Sequence, residues 1–210
     1  MATSTSNTNA KTRLLDAAVH VIRTKGYTAT TVDDLCRAAH VTKGGFFHHF
    51  ESKEQLAVSA AEHFGAMADG LFAAAPYRSL PDPLDRLLGY VDFRKAILQG
   101  DLPEYTCLLG TMVQEAYETH PAIREACNGC IQDHVQMLES DIAEAMLLHG
   151  VGASSAWTAR SLALYMQAVV QGSFVLAKAE HGPAVASSSL DHLRLYLVML
   201  FIQPAARKAA

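Results

Sequence analysis

The chain has 210 residues, 50% of them hydrophobic and 18% charged, with a net charge of −4. That composition supports one or two small domains with a sizeable core and excludes a disordered or collagen-like polymer. Four cysteines without an apolar leader argue against a secreted disulfide scaffold, and the longest apolar run, the eight residues Leu195–Ile202, falls short of the roughly 20 a membrane span needs, so a soluble, cytoplasmic protein with no membrane partner is expected.

In chain order, residues 1–10 are rich in Ser, Thr and Asn without periodicity and are expected to be a disordered tail. Leu14, Ala18, Val21 and Ile22 then recur at helical spacing until Gly26 stops the pattern. Thr31 with Asp34 reads as a capping box opening a short helix through Ala39. His40-Val41 is a break, and Thr42 caps another short helix ending near His48. Ser52 with Gln55 opens a longer helix towards Ala75. Pro76, Pro81 and Pro83 mark a loop. Further helices are predicted over about 84–99, 104–117, 121–149, 154–180 and 190–203, separated by Gly and Pro breaks. With no internal repeat and no β-alternating segment beyond a few residues, the fold class is all-α, with about nine helices. The expected domains are the tail 1–10, a head 11–54 and a body 55–206.

Charge is unevenly placed. Residues 1–55 carry seven basic and five acidic side chains, whereas the remainder is acidic. A basic head on an acidic body points to a head that meets an anionic polymer. The last two predicted helices are apolar around nearly their whole circumference. A helix of that kind must be covered on two sides, which points to a homodimer.

The segment TVDDLCRAAHVTKGGFFHHF, residues 31–50, places Val32, Leu35 and Ala39 inward on one short helix and Phe46 and Phe50 inward on the next. Two short helices joined by a tight turn form a helix-turn-helix, whose second helix enters the major groove of DNA. Thr42, Lys43, Gly44 and His48 would project from the open face. Gly44 and Gly45 would let the backbone approach phosphates and bases.

Residues 11–64, and above all VTKGGFFHHFESKEQL, resemble the DNA-binding head of the TetR family of transcriptional regulators. The resemblance implies a head-plus-helical-bundle fold and a homodimeric repressor. Such a repressor leaves a palindromic operator when a small effector binds the C-terminal domain. It implies DNA-contacting roles for Thr42, Lys43, Gly44 and His48 in the recognition helix, and for Lys53 as a phosphate grip at the next helix N-terminus. Thr31 would cap the second helix and touch the DNA backbone, with Lys11 and Arg13 adding phosphate contacts. Three positions depart from the family pattern: Phe47 stands where Tyr is usual, Gly45 replaces Ala, Ser or Thr, and His40 occupies a turn position common for Gly.

The Met, Phe, Tyr and Leu content of the body suits an apolar or amphipathic effector. The segment TCLLGTMVQE around Cys107 resembles a TetR subgroup that includes regulators of responses to reactive electrophiles, which makes an electrophilic effector a further expectation. Cys127, Cys130 and His134 share one helix face at i, i+3 and i+7. That face reads as a thiol switch, half of a soft-metal site, or core packing. No metal or cofactor is assigned. An enzyme using Cys/His chemistry is the alternative reading, but the chain carries no GxSxG, P-loop, HExxH or Rossmann glycine pattern, and a non-enzymatic regulator is the expectation.

Overall fold

The computed structural model describes residues 9–151 and 157–201. Among the described residues every regular element is helical: α1 (Ala10–Lys25), α2 (Val32–Ala39), α3 (Lys43–His49), α4 (Lys53–Ala73), a 3-10 turn (Pro76–Ser79), α5 (Pro83–Ala96), α6 (Leu102–Tyr105), α7 (Leu108–Ala116), α8 (Pro121–Leu148), α9 (Ala159–Glu180) and α10 (Ala184–Phe201). The all-α expectation holds. Of the tail predicted to be disordered, residues 1–8 lie outside the described residues, while Asn9 already caps α1 by accepting from the Lys11 amide.

Two differences from the expected elements have local causes. The single helix expected over 104–117 is two helices. Cys107 is extended (φ −85°, ψ 125°) and its sulfur accepts from the Gly110 amide at 3.5 Å, so it acts as an N-cap for α7. The last helix begins at Ala184 rather than 190. The Pro183 carbonyl accepts the Ser187 amide, and Ser189 Oγ donates back to the Val185 carbonyl at 2.8 Å, so the serine run is absorbed into the helix.

The chain forms two compact units, the first made of residues 1–68 and 106–131 and the second of 69–105 and 132–210. The first thus joins α7 and the start of α8 to the N-terminal helices, where the sequence suggested a cut at residue 54. Its core is built from the fully buried Leu14, Ile22, Leu35, Phe46, Leu56, Leu108, Met112 and Ile123. α1 stops where Gly26 takes φ +87°. α2 opens on the predicted Thr31–Asp34 capping box and closes on His40 in the left-handed region (φ 51°, ψ 47°), which an L-residue occupies at a cost of roughly 1–2 kcal/mol.

In the second unit, α9 buries Leu162, Ala163, Met166, Val170, Phe174 and Ala177, and α10 buries Leu190, Leu193, Leu197 and Phe201. The opposite sides stay apolar and exposed: Leu164, Tyr165, Val175 and Leu176 on α9, and Leu195, Tyr196 and Met199 on α10. The two exposed stripes adjoin, with the Tyr165 and Tyr196 ring centroids 5.2 Å apart. Among the described residues α9 is also the one helix long and apolar enough to cross a membrane by length and composition. Its inner side is packed within the unit. Asp141 on α8 is buried and accepts from Arg86 Nε at 2.9 Å and Arg78 Nη1 at 2.5 Å, tying α5 and the 3-10 turn to α8.

Candidate nucleic-acid interface

The site lies on α2, α3 and the start of α4, in the first unit. Thr42 is extended and its hydroxyl accepts the Gly45 amide at 3.1 Å, satisfying one of the first-turn donors of α3. Phe46 is fully buried and packs on Phe50, with ring centroids 6.0 Å apart. That anchor turns the other face of α3 outward: Thr42, Lys43, Gly44, Phe47 and His48 are all exposed, and Phe47 is 54% exposed. A large aromatic thus stands in water on the same exposed face as Lys43. His48 packs edge-on against His49 with centroids 4.9 Å apart.

The two glycines differ. A Cβ on Gly44 would meet nothing closer than the Thr42 hydroxyl at 3.9 Å, so this position is open to an approaching backbone. A Cβ on Gly45 would lie 2.7 Å from Val41 Cγ1. The glycine there makes room for the turn valine, which explains the departure from Ala, Ser or Thr.

The cations also divide. Lys43 Nζ pairs with Asp33 at 2.8 Å, with side chains 60% and 63% exposed. This hydrogen bond, with the Asp33 charge, raises the Lys43 pKa. Such an exposed pair contributes little and exchanges readily for phosphate. Lys53, by contrast, folds back: Nζ donates to the carbonyls of Tyr27 and Thr30, each at 3.0 Å, and sits 4.2 Å from the Tyr27 ring centroid. Burial lowers its pKa. Its ammonium stitches the α1–α2 loop to the start of α4. Ser52 Oγ accepts the Gln55 amide at 3.1 Å, and the Gln55 carboxamide accepts from the Glu51 amide, completing that helix start.

Arg13 Nε donates to the Ala39 carbonyl at 3.1 Å, bracing α1 against the end of α2. Lys11 is exposed, its ammonium 5.9 Å from the Phe50 ring centroid. The Thr31 hydroxyl is engaged with Asp34, donating at 2.6 Å to its carboxylate and accepting its amide. Lys25, bonded at 2.5 Å, and then Thr31 hold the Asp34 carboxyl well below the usual carboxylate range.

Sequence reasoning missed three participants. Arg37 on α2 carries a largely exposed guanidinium 3.5 Å from Asp34. Its charge and its place on the helix before the turn were the available signals. Asp33 holds Lys43. Glu115 on α7 accepts the Thr28 amide at 2.8 Å and lies where any Cβ on Gly26 would stand, so the α1–α2 loop is held by a residue 87 positions away. No local pattern announces that contact.

The cysteines and His134 pack into different cores. Cys107, Cys127 and Cys130 belong to the first unit and His134 to the second. All four cysteines, Cys36 included, are thiols outside any disulfide. Cys127 is fully buried; burial, then the proximity of Cys107 and Cys130, pushes its thiol up to about 12. Cys130 Sγ donates to the Ala61 carbonyl at 3.6 Å. Among the described residues no group of three or more His, Cys, Asp or Glu is placed to hold a metal ion.

The family model for bacterial regulatory proteins of the tetR family matches residues 14–60. A second, for the C-terminal domain of LmrA/YxaF-like transcriptional regulators, matches residues 83–185. The uncharacterized HTH-type transcriptional regulator YerO of Bacillus subtilis is 34% identical over 58 residues, 28% of this chain and 20% of that protein. The HTH-type transcriptional repressor DhaR of a Mycobacterium strain is 25% identical over 139 residues, 66% of this chain and 68% of that protein. The reduced form of Escherichia coli NemR has the same fold, with a TM-score of 0.78 at 19% identity, covering 94% of this chain and 99% of that one.

Proposed function

This chain belongs to the TetR family of bacterial regulatory proteins, and on that premise we propose that it is a ligand-responsive, soluble transcriptional repressor that binds a palindromic operator as a homodimer. One observation carries the reading: α3 is pinned by the buried Phe46 and turns Thr42, Lys43, Gly44, Phe47 and His48 to solvent together. An exposed helix start with a loosely held lysine and a nearby exposed histidine suits the phosphate and base edges of a major groove. Lys11 and the exposed Arg37 flank it and add phosphate contacts. Lys53 acts by fixing the helix start.

The adjoining apolar stripes of α9 and α10 support the second half of the reading. A monomer leaves such a surface in water, whereas a second copy of the same stripes covers it through an isologous contact. The effector is a small apolar or electrophilic molecule bound by the C-terminal helices. It releases DNA by binding one conformation of the dimer more tightly than the other. For an electrophile, the half-buried Cys107 and Cys130 are the accessible nucleophiles, and the deeply buried Cys127 is not. The protein has no catalytic role in this reading.

Fluorescence anisotropy against the duplex upstream of its own gene, over a salt series, tests the proposal. Nanomolar, competitor-resistant binding with a steep salt slope is expected, and binding no tighter to that duplex than to random DNA overturns it. Loss of electrophile-driven release in Cys107→Ser identifies the thiol; release that persists assigns it elsewhere.

A further inference from the structure

The second unit contains a cation that the rest of its charge pattern does not account for. Arg78 and Arg86 share Asp141, Lys95 pairs with Asp191, Arg160 with Glu139 and Arg194 with Asp92. Arg94 on α5 has no carboxylate partner among the described residues. Its guanidinium lies instead in an aromatic setting, 4.3 Å from the Phe72 ring centroid and 5.3 Å from that of Tyr90. Nε donates to the Tyr90 hydroxyl at 2.9 Å, and Nη2 lies 3.0 Å from His134 Nε2. The Tyr90 hydroxyl is also 3.0 Å from that nitrogen. An arginine donates only, so His134 receives these contacts as a neutral imidazole accepting at Nε2. Burial, then Arg94, pulls its pKa down to about 3. The cluster therefore carries positive charge with no carboxylate paired to it among the described residues.

Beside it is an unused donor. Tyr77 is 5% exposed and its ring packs on Tyr90 and Phe93, with centroids 6.0 and 5.9 Å away. Its hydroxyl is buried with no hydrogen-bond partner. It stays protonated, because burial pushes its pKa up to about 12, and it lies close enough to Arg94 to feel that charge. A buried hydroxyl without a partner and a half-buried guanidinium without a counter-ion are both costly in a finished core. One oxyanion resolves both.

Resting on the reading of this chain as an effector-controlled regulator, and choosing the apolar effector of that reading over the electrophilic one, we propose that the apolar molecule carries an acid group: an organic carboxylate with an apolar body. The carboxylate accepts from Arg94 and from the Tyr77 hydroxyl, and the aryl or alkyl portion packs among Phe72, Phe93 and Tyr90. Planar, forked donation from arginine fits a carboxylate. The surrounding rings supply the apolar contact that makes an acid of this kind preferable to a fully hydrated anion. His134 orients the guanidinium through Nε2 and does not itself meet the ligand.

The test uses the full chain and two matched panels at equal ionic strength: benzoate, phenylacetate and hexanoate, and the corresponding neutral amides. Thermal unfolding and calorimetric titration are the readouts. At least one acid is expected to raise the melting temperature while its amide does not. Tyr77→Phe is the decisive variant, because it only removes an unpartnered hydroxyl and keeps the fold. It is expected to weaken the acid at least tenfold, and Arg94→Gln to abolish binding. Equal shifts from acids and amides, no binding by any of the three acids, or unchanged acid affinity in Tyr77→Phe overturns the proposal. Anisotropy on the operator duplex separates this from the wider reading. DNA binding without acid binding defeats the carboxylate assignment alone, whereas acid binding without DNA binding defeats the regulatory reading and leaves this site standing.

Discussion

The exposed α2–α3 surface of the first unit and the α5–α8 contact of the second both use basic side chains and aspartate, yet in opposite ways. Lys43 and Asp33 hold each other in open water, where the pair is weak and either member is available to a stronger partner. Asp141 is buried beneath two guanidiniums, where removing either arginine leaves a buried carboxylate short of a partner. Exposure, more than charge, decides whether an ion pair is a latch or a rivet.

Breaking the rivet has the largest expected effect. Asp141→Ala leaves Arg78 without a carboxylate and Arg86 with Glu144 alone, and is expected to cost about 3 kcal/mol, read as a lower midpoint in urea with operator affinity at low temperature unchanged among the molecules that fold. Acidification probes the same unit through His134. The folded chain keeps this imidazole neutral down to about pH 3, whereas the unfolded chain protonates it near its ordinary value of 6.5. The unfolded state then binds more protons, so stability falls as pH drops below 6.5, by about 1.4 kcal/mol per pH unit. Unfolding midpoints between pH 7 and 5 measure this, and His134→Gln flattens the slope.

Two lysines sharpen the comparison on the DNA side. Lys53→Met removes two hydrogen bonds to the α1–α2 loop and is expected to lose about 2 kcal/mol of stability, with weaker DNA binding following from the displaced helix start. Lys43→Ala is expected to leave the melting temperature unchanged while weakening operator binding about tenfold and reducing the salt slope by about one counterion per half-site. If the two substitutions changed stability equally, the distinction between them would fail.

Much of the first unit was legible from local pattern. The Thr31–Asp34 and Thr42 caps, the stop at Gly26 and the inward Phe46 and Phe50 follow from spacing and turn chemistry, and His40 takes the left-handed conformation its position demanded. The break at Cys107 was not legible, because a sulfur acceptor is an unusual N-cap and the flanking residues read as one continuous helix. The inward fold of Lys53 and the grip of Glu115 were equally hidden. Each depends on partners 23 to 87 residues away in sequence, and a lysine at a helix start looks the same whether it faces solvent or a carbonyl. Arg94 was unremarked for the converse reason: its significance is the missing carboxylate, which only the assembled neighbourhood reveals.

The reach of Glu115 to the Thr28 amide, together with the Arg23 bond to the Thr106 carbonyl at 3.1 Å, governs how this protein can be recombined. A chimera that transplants the reading head by cutting within α4 leaves behind the carboxylate and the carbonyl that hold the end of α1 and the loop after it. A faithful transplant carries residues 106–131 as well, so the portable module is discontinuous in the gene although it is continuous in space.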